Sequence, residues 1–304
     1  MDLIQPTLLK WPAEAAVPSA DKRGVLNAPG SNLVLDLHGD PVRAKLTVFS
    51  DGNHHMALAN AMQAFVRLVP EVDDIFYATT PPRILVEALE SGTLRTGNLV
   101  LSVSPHVFIG PPGVLGELRQ HKRIGPPRTF MRSCGVSLLV RKGNPERIGS
   151  LDGVFRDRIR LAISNPKTER VSFDLYRQAL LAAGAGLGLS EEDVDRFLNR
   201  ESTVRGRVIH HREVPHAIAA GRADVGILYH HLALRFERAF PDQFELVEID
   251  DPIPGAETAY DIAPVGDGGA FGPRFVEHMV SKEVGAIYQS HGLVPTGRES
   301  RNRH

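Results

Sequence analysis

The feature that most constrains this chain is a repeated unit of β-rich run, polar turn and amphipathic helix. It begins at Lys45. Leu46–Ser50 is β-rich, Asp51-Gly52-Asn53 is a turn cluster, and Leu58, Ala61, Met62, Phe65 and Val69 recur at helical spacing. The unit returns at Asp74–Thr80, where Thr79-Thr80-Pro81-Pro82 reads as a helix N-cap with prolines in the first turn. Ile84–Leu89 continues that helix, and Leu99–Val103 reads as a third strand. Strands alternating with helices predict right-handed βαβ crossovers and a largely parallel sheet.

A loop rich in Pro, Gly and Arg is expected over Gly110–Arg132, and a second series of units follows it. Strands are expected at Val136–Arg141, Arg160–Ser164, Arg207–Ile209, Asp224–Tyr229, Phe244–Ile249 and Tyr260–Pro264. Helices are expected at Ser172–Ala183, Val214–Ala220, Leu232–Phe240, Gly272–Val280 and Lys282–Ser290. Residues 1–44 lack sustained periodicity and read as an extended arm with one short strand at Asn32–Leu37. The tail Arg298–His304 is polar and basic, and reads as frayed.

Composition excludes several classes. Thirty-five basic and thirty-six acidic residues leave a net charge of −1, against the strong basic excess of a general nucleic-acid binder. One cysteine, Cys134, excludes an internal disulfide and a cysteine-rich zinc module. No apolar run reaches the ~18 residues that span a bilayer, so no direct membrane insertion is expected. Met1–Ala16 has neither a basic n-region nor an apolar core, so the chain is expected to be cytoplasmic if complete. There is no P-loop, and Arg132-Ser-Cys-Gly135 lacks a nucleophile signature, so the thiol reads as incidental and no enzyme is expected.

The order of motifs resembles the type II periplasmic binding proteins, and among them the molybdate-binding proteins of ABC importers. The residues that carry the resemblance are Leu46-Thr-Val-Phe49, Ile84–Gly92, Leu138-Leu-Val-Arg-Lys-Gly-Asn-Pro145, Leu161-Ala-Ile-Ser-Asn-Pro166, Ala223-Asp-Val-Gly-Ile-Leu-Tyr229 and Phe275–Leu293. Asp36-Leu-His-Gly-Asp40, Gly52-Asn53, Pro81-Pro82 and Gly97-Asn-Leu99 depart from the molybdate pattern and mark a divergent branch.

The resemblance implies an α/β, two-lobed type II periplasmic-binding-protein-like fold, each lobe a mostly parallel sheet flanked by helices. Residues 45–137 plus 245–304 would form lobe one and 138–244 lobe two. The implied function is capture of a small, molybdate-like oxyanion between lobes for an ABC permease, by a periplasmic monomer without a cofactor. Helix N-termini suit such a ligand because their free N–H groups and dipoles favour anions. Carried over position by position, the ligand residues are Asn53, Thr79, Thr80, Ser172, Val214 and Tyr229. Asn53 replaces a serine. Thr79 or Thr80 stands for a helix-capping hydroxyl, Ser172 and Val214 for backbone donors, and Tyr229 for a tyrosine.

Two other readings stay open. Thirteen histidines include His54, His55, His106, His210, His211, His216, His230 and His231 near the carboxyl ends of strands, where open α/β sheets bind ligands. His54, His55, His106, His230 and His231 are the alternative ligand set for a transition metal or metal chelate, although no pair has a zinc spacing. A cytoplasmic ligand sensor on the same fold is the other. The basic run Arg119, Lys122, Arg123, Arg128, Arg132, Arg141, Lys142 and Arg147 reads as a solvated face.

Overall fold

The chain opens on strand–helix units, and the computed structural model describes residues 36–96, 99–207, 210–249 and 257–296. The expected arm up to residue 35, the Asn32–Leu35 part of its strand, the end of the strand at 208–209, and the tail lie outside the described residues. The described residues of Leu35–Ser133 and Thr258–His304 form one compact unit, and those of Cys134–Glu257 form the other.

The first stretch of chain runs β1 (Asp36–His38), β2 (Leu46–Ser50), α1 (His55–Leu68), β3 (Ile75–Thr79), α2 (Pro82–Ser91), β4 (Thr93–Thr96), β5 (Leu99–Ser102), β6 (Val107–Gly110), α3 (Pro112–Gln120) and β7 (Arg128–Ser133). The second holds β8 (Val136–Arg141), a 3-10 turn at Asp152–Phe155, β9 (Leu161–Ile163), α4 (Arg170–Gly186), α5 (Glu191–Leu198), β10 (Val204–Arg205), α6 (His210–Ala219), β11 (Val225–Tyr229), α7 (His230–Ala239) and β12 (Phe244–Val247). The last adds β13 (Ala259–Pro264), α8 (Gly272–Met279), α9 (Lys282–Ser290) and β14 (Leu293–Pro295).

One unit holds a seven-stranded sheet in the order β1-β3-β2-β6-β13-β7-β14, and the other a five-stranded sheet in the order β10-β9-β11-β8-β12. Each sheet has a parallel part, β3-β2-β6 and β10-β9-β11, and antiparallel pairing elsewhere. The βα units therefore pair in parallel as expected. The antiparallel pairs of the two sheets are β1 on β3, β13 on β6 and β7, β14 on β7, and β8 on β11 and β12, so the sheets expected to be mostly parallel are mixed.

Three local readings are corrected. Leu99–Ser102 is not the third strand of the parallel sheet: it pairs antiparallel with β4 in a separate ribbon, and β6 takes the place beside β2. The Gly110–Arg132 stretch is not a loop, since α3 and β7 lie within it. Further, α5 stands where no helix was expected, started by a capping box in which Ser190 Oγ accepts the Asp193 N–H and Asp193 accepts the Ser190 N–H. The unit boundaries also fall elsewhere than at 137/138 and 244/245. Val136–Arg141 and Phe244–Val247 hydrogen-bond each other within the five-stranded sheet, so both belong to that unit.

Each unit has its own core. In the five-stranded unit β8 is buried over Val136–Val140 because helices or loops cover both faces, which explains its unbroken apolar run. Leu138, Leu139, Ile227, Leu228, Phe236 and Tyr176 are its fully buried centre. In the seven-stranded unit Val48, Phe65, Ile109, Ile262, Phe275 and Tyr288 fill the same role. Gly226 marks a close approach of helix to sheet: a Cβ there would stand 2.3 Å from Val214 Cγ1.

Candidate functional site

In the seven-stranded unit, β2 and β3 run parallel with Ser50 opposite Thr79, so their carboxyl ends stand side by side. The loop Asp51-Gly52-Asn53 leaves β2 and enters α1. The Thr80 N–H donates to Ser50 O at 3.2 Å, which fixes Thr80 beside that loop. Asp51 Oδ1 accepts the Asn53 N–H at 2.9 Å and shapes the turn. Asn53, Thr79 and Thr80 are thus brought together. The N-cap of α2 is Pro81, with no side-chain cap, so neither threonine plays the expected capping role. Thr79 is buried, with its hydroxyl 3.4 Å from His38 Nε2.

Behind this loop lies a buried cluster the sequence reading did not pick out. His54 Nε2 is 3.1 Å from Ser50 Oγ, and its Nδ1 is 2.9 Å from the Tyr288 hydroxyl. Ser50 Oγ donates its one proton to Asp51 O, so His54 Nε2–H is the donor to Ser50 and Nδ1 accepts from Tyr288. Burial holds His54 down to about 3, so the ring is neutral. Burial pushes Asp51 up to about 7, partly opposed by its bond from the Asn53 N–H. Asp51 Oδ2 is buried without a hydrogen-bond partner. Burial likewise raises Tyr288 well above the usual phenol range.

In the five-stranded unit, β9 leads through Ser164-Asn165-Pro166 into α4. Asn165 Oδ1 accepts the Lys167 N–H and its carbonyl accepts the Glu169 N–H, a turn that delivers Glu169 as the N-cap of α4. Ser172 is the third residue of α4. Its backbone N–H lies in the first turn, where no intrahelical acceptor exists, while its buried hydroxyl bonds Glu169 O. Val214 is a correction. Because α6 begins at His210, Val214 is its fifth residue, where the N–H belongs to the helix ladder, and its side chain packs on Gly226. The helix began earlier than expected because His210-His-Arg-Glu213 hides the apolar period.

Tyr229 ends β11 fully buried, and its N–H donates to the Tyr176 hydroxyl at 3.0 Å. Tyr176 in turn is 2.9 Å from His210 Nε2, and His210 Nδ1 is 2.7 Å from Glu169 Oε1. The His210 N–H donates to Glu169 Oε2 at 2.7 Å. With Nδ1–H donating to the carboxylate, Nε2 accepts from the Tyr176 O–H, and the relay from Tyr229 to Glu169 is satisfied throughout. Sequence reasoning missed Glu169, Tyr176, Asp51 and Ser164. The one available signal was an acidic residue just after an Asn-Pro turn and before a helix.

The alternative metal ligands have other contacts within their own units. His54 is held as described, His55 Nδ1 faces Gly52 O at 2.8 Å, and His106 Nδ1 accepts the Thr47 N–H at 2.9 Å. Burial also lowers His106, partly opposed by Asp267. His230 Nδ1 is 2.9 Å from Ser137 Oγ, and His231 stacks on Tyr229 at 5.5 Å. Among the described residues, no group of three or more His, Cys, Asp or Glu is placed to hold a metal.

A model of the family described as bacterial extracellular solute-binding protein matches residues 46–294, most of this chain. The chain belongs to that family. Solved structures similar to this solute-binding protein share its fold at low identity. Peb3 from Campylobacter jejuni aligns with a TM-score of 0.61 at 14% identity, covering 82% of this chain and 99% of its own. The periplasmic molybdate-binding protein of Azotobacter vinelandii aligns at 0.58 and 15%, covering 82% and 99%. The sulfate-binding protein SubI of Mycobacterium tuberculosis aligns at 0.60 and 16%, covering 83% and 87%. No curated protein matches in sequence. The family is described as a binding family, not a catalytic one, and as an extracellular one. No described helix is long and apolar enough to cross a membrane.

Proposed function

We propose that this solute-binding protein captures a small oxyanion of the molybdate type and delivers it to an ABC permease, working as a monomer in the periplasm. The observation that carries this reading is the meeting of Asn53, Thr79 and Thr80 at the carboxyl ends of two adjacent parallel strands. Ligands of open α/β sheets bind at such ends. The open first turn of α4 around Ser172 supplies donors of the kind an anion needs. Neighbours named for molybdate and sulfate share the fold and support the same class.

The test is calorimetry and thermal shift with molybdate, tungstate, sulfate and phosphate. At least one of these anions is expected to raise Tm by mass action, by about 2.7 kcal/mol of added stability at a hundred times Kd. Thr80→Ala is expected to weaken binding by about 1–2 kcal/mol, and by more than it lowers the stability of the unliganded protein. If none of the four anions shifts Tm or gives heat, the reading fails.

A further inference from the structure

The far end of α4 closes on Gly184-Ala-Gly-Leu-Gly-Leu189, whose small residues let the chain turn into α5. Gly188 holds a left-handed φ of +74°, and the N–H groups of Leu187 and Leu189 both return to Gly184 O. That turn leaves Leu187 50% exposed. Between it, the 3-10 turn at Asp152–Phe155 and α5 lies a cavity of about 450 Å³, the size that holds a small molecule. Leu187 stands fifteen residues along from Ser172, about 22 Å at the rise of a helix, so the cavity is apart from the open first turn of α4.

The floor of the cavity is aromatic and aliphatic. Phe155 and Phe197 meet with ring centroids 4.9 Å apart, and Leu187 and Leu189 lie beside them. The rim carries guanidinium groups with donors to spare. Arg200 lies over the Phe197 ring, its Cζ 4.9 Å from the centroid. Its carboxylate contact, Asp157 at 3.5 Å, is fully exposed and worth little. Arg196 gives one nitrogen to Asp193, and Arg156 gives two to Gly153 O and Glu146 O, leaving N–H groups unspent on each fork. Asp193 is already taken by the Ser190 N–H and hydroxyl as well as by Arg196. Of the three carboxylates in the lining, one is therefore spent, and Asp152 and Asp157 face water. A ligand meets an apolar floor and unspent donors, a combination that suits an acid and not a cation.

We propose that this cavity is a second binding site, for a small acid with a flat apolar body: an arene carrying one carboxylate. The body lies on Phe155, Phe197 and Leu187, and the carboxylate takes the planar forks of Arg196 and Arg200. The site stands whether or not the oxyanion reading does, because it shares no residue with that one.

NMR titration of the full chain with 2-naphthoate, and with 2-naphthylmethanol as its uncharged counterpart, tests the proposal. The wild type is expected to bind 2-naphthoate with a Kd of about 0.1–1 mM, ordinary for a ligand of this size, and the alcohol at least about fivefold more weakly. Leu187→Asp, at a half-exposed position that folding tolerates, is expected to weaken 2-naphthoate by at least about tenfold. Arg200→Gln is expected to weaken it by about fivefold and to remove most of the preference over the alcohol. Absence of binding at about 5 mM overturns the proposal. Equal affinity for acid and alcohol also overturns it, marking a plain apolar patch such as a contact between copies of the chain. Unchanged affinity in Leu187→Asp places the ligand elsewhere and overturns it too. If Arg200→Gln fails to fold, Leu187→Asp and the alcohol decide.

Discussion

Both units build a carboxyl, a histidine and a tyrosine into the end of a parallel strand, and they wire them differently. In the five-stranded unit Glu169 bonds His210 directly, and His210 meets Tyr176. In the seven-stranded unit Asp51 stands 4.0 Å from His54, which spends its ring on Ser50 and Tyr288 instead. The difference is that the looser wiring leaves two buried groups without a bonded counter-charge. Without a bonded cation Asp51 is driven up to about 7, and without a bonded anion His54 is driven down to about 3.

The largest effect that can break this comparison is a pair of opposed pH slopes. Asp51 has its folded value above the ordinary 3.8, so its contribution to stability is full below that pH and is lost as pH rises towards about 7. His54 has its folded value below the ordinary 6.5, so its contribution is full above that pH and is lost as pH falls towards about 3. Between these limits the two slopes, each about 1.4 kcal/mol per pH unit, cancel in the wild type. Asp51→Asn should therefore uncover a loss of about 3 kcal/mol on going from pH 6.5 to pH 4. His54→Gln should uncover a loss of similar size in the opposite direction. Urea titrations across that range check both, and parallel profiles for the two variants would show that neither group is buried as described.

A smaller effect tests the directly bonded relay. Tyr176→Phe removes the acceptor of the buried Tyr229 N–H and the donor to His210, and should cost about 2 kcal/mol in urea unfolding. A cost under about 0.5 kcal/mol would mean that water replaces the hydroxyl.

The smallest contrast lies in the helix caps. Ser190 forms a reciprocal box on α5, whereas Ser281 only accepts the Val284 N–H at 3.3 Å on α9. Ser190→Ala is expected to cost about 1 kcal/mol and Ser281→Ala about half that, read from denaturant midpoints. Equal costs would remove the distinction.

The fold was legible where apolar residues keep a period. Leu58 to Val69 announced α1, and the runs at Val136–Arg141 and Val225–Tyr229 announced β8 and β11. It was illegible where composition hides the period. Pro112-Gly113 and Gly116 disguise α3, the charged Glu191-Glu-Asp193 start disguises α5, and β14 spans only three residues. The candidate site was legible in part. Asn53 and Thr80 fall together because strand order fixes loop neighbours, which a βα pattern encodes. The relay from Tyr229 through Tyr176 and His210 to Glu169 spans residues far apart in sequence, and no local spacing encodes a contact made across two helices and a strand.

The close meeting of Val214 and Gly226 also bears on how this chain can change over generations. With no room for a methyl at 226 beneath the valine, the two positions are not free to drift singly. Any enlargement of residue 226 demands a smaller residue at 214 first, or a shift of the whole α6 helix on β11. That shift would carry His210, one turn away on the same helix, off Glu169 and Tyr176. One glycine thus ties the history of a core contact to that of the buried relay.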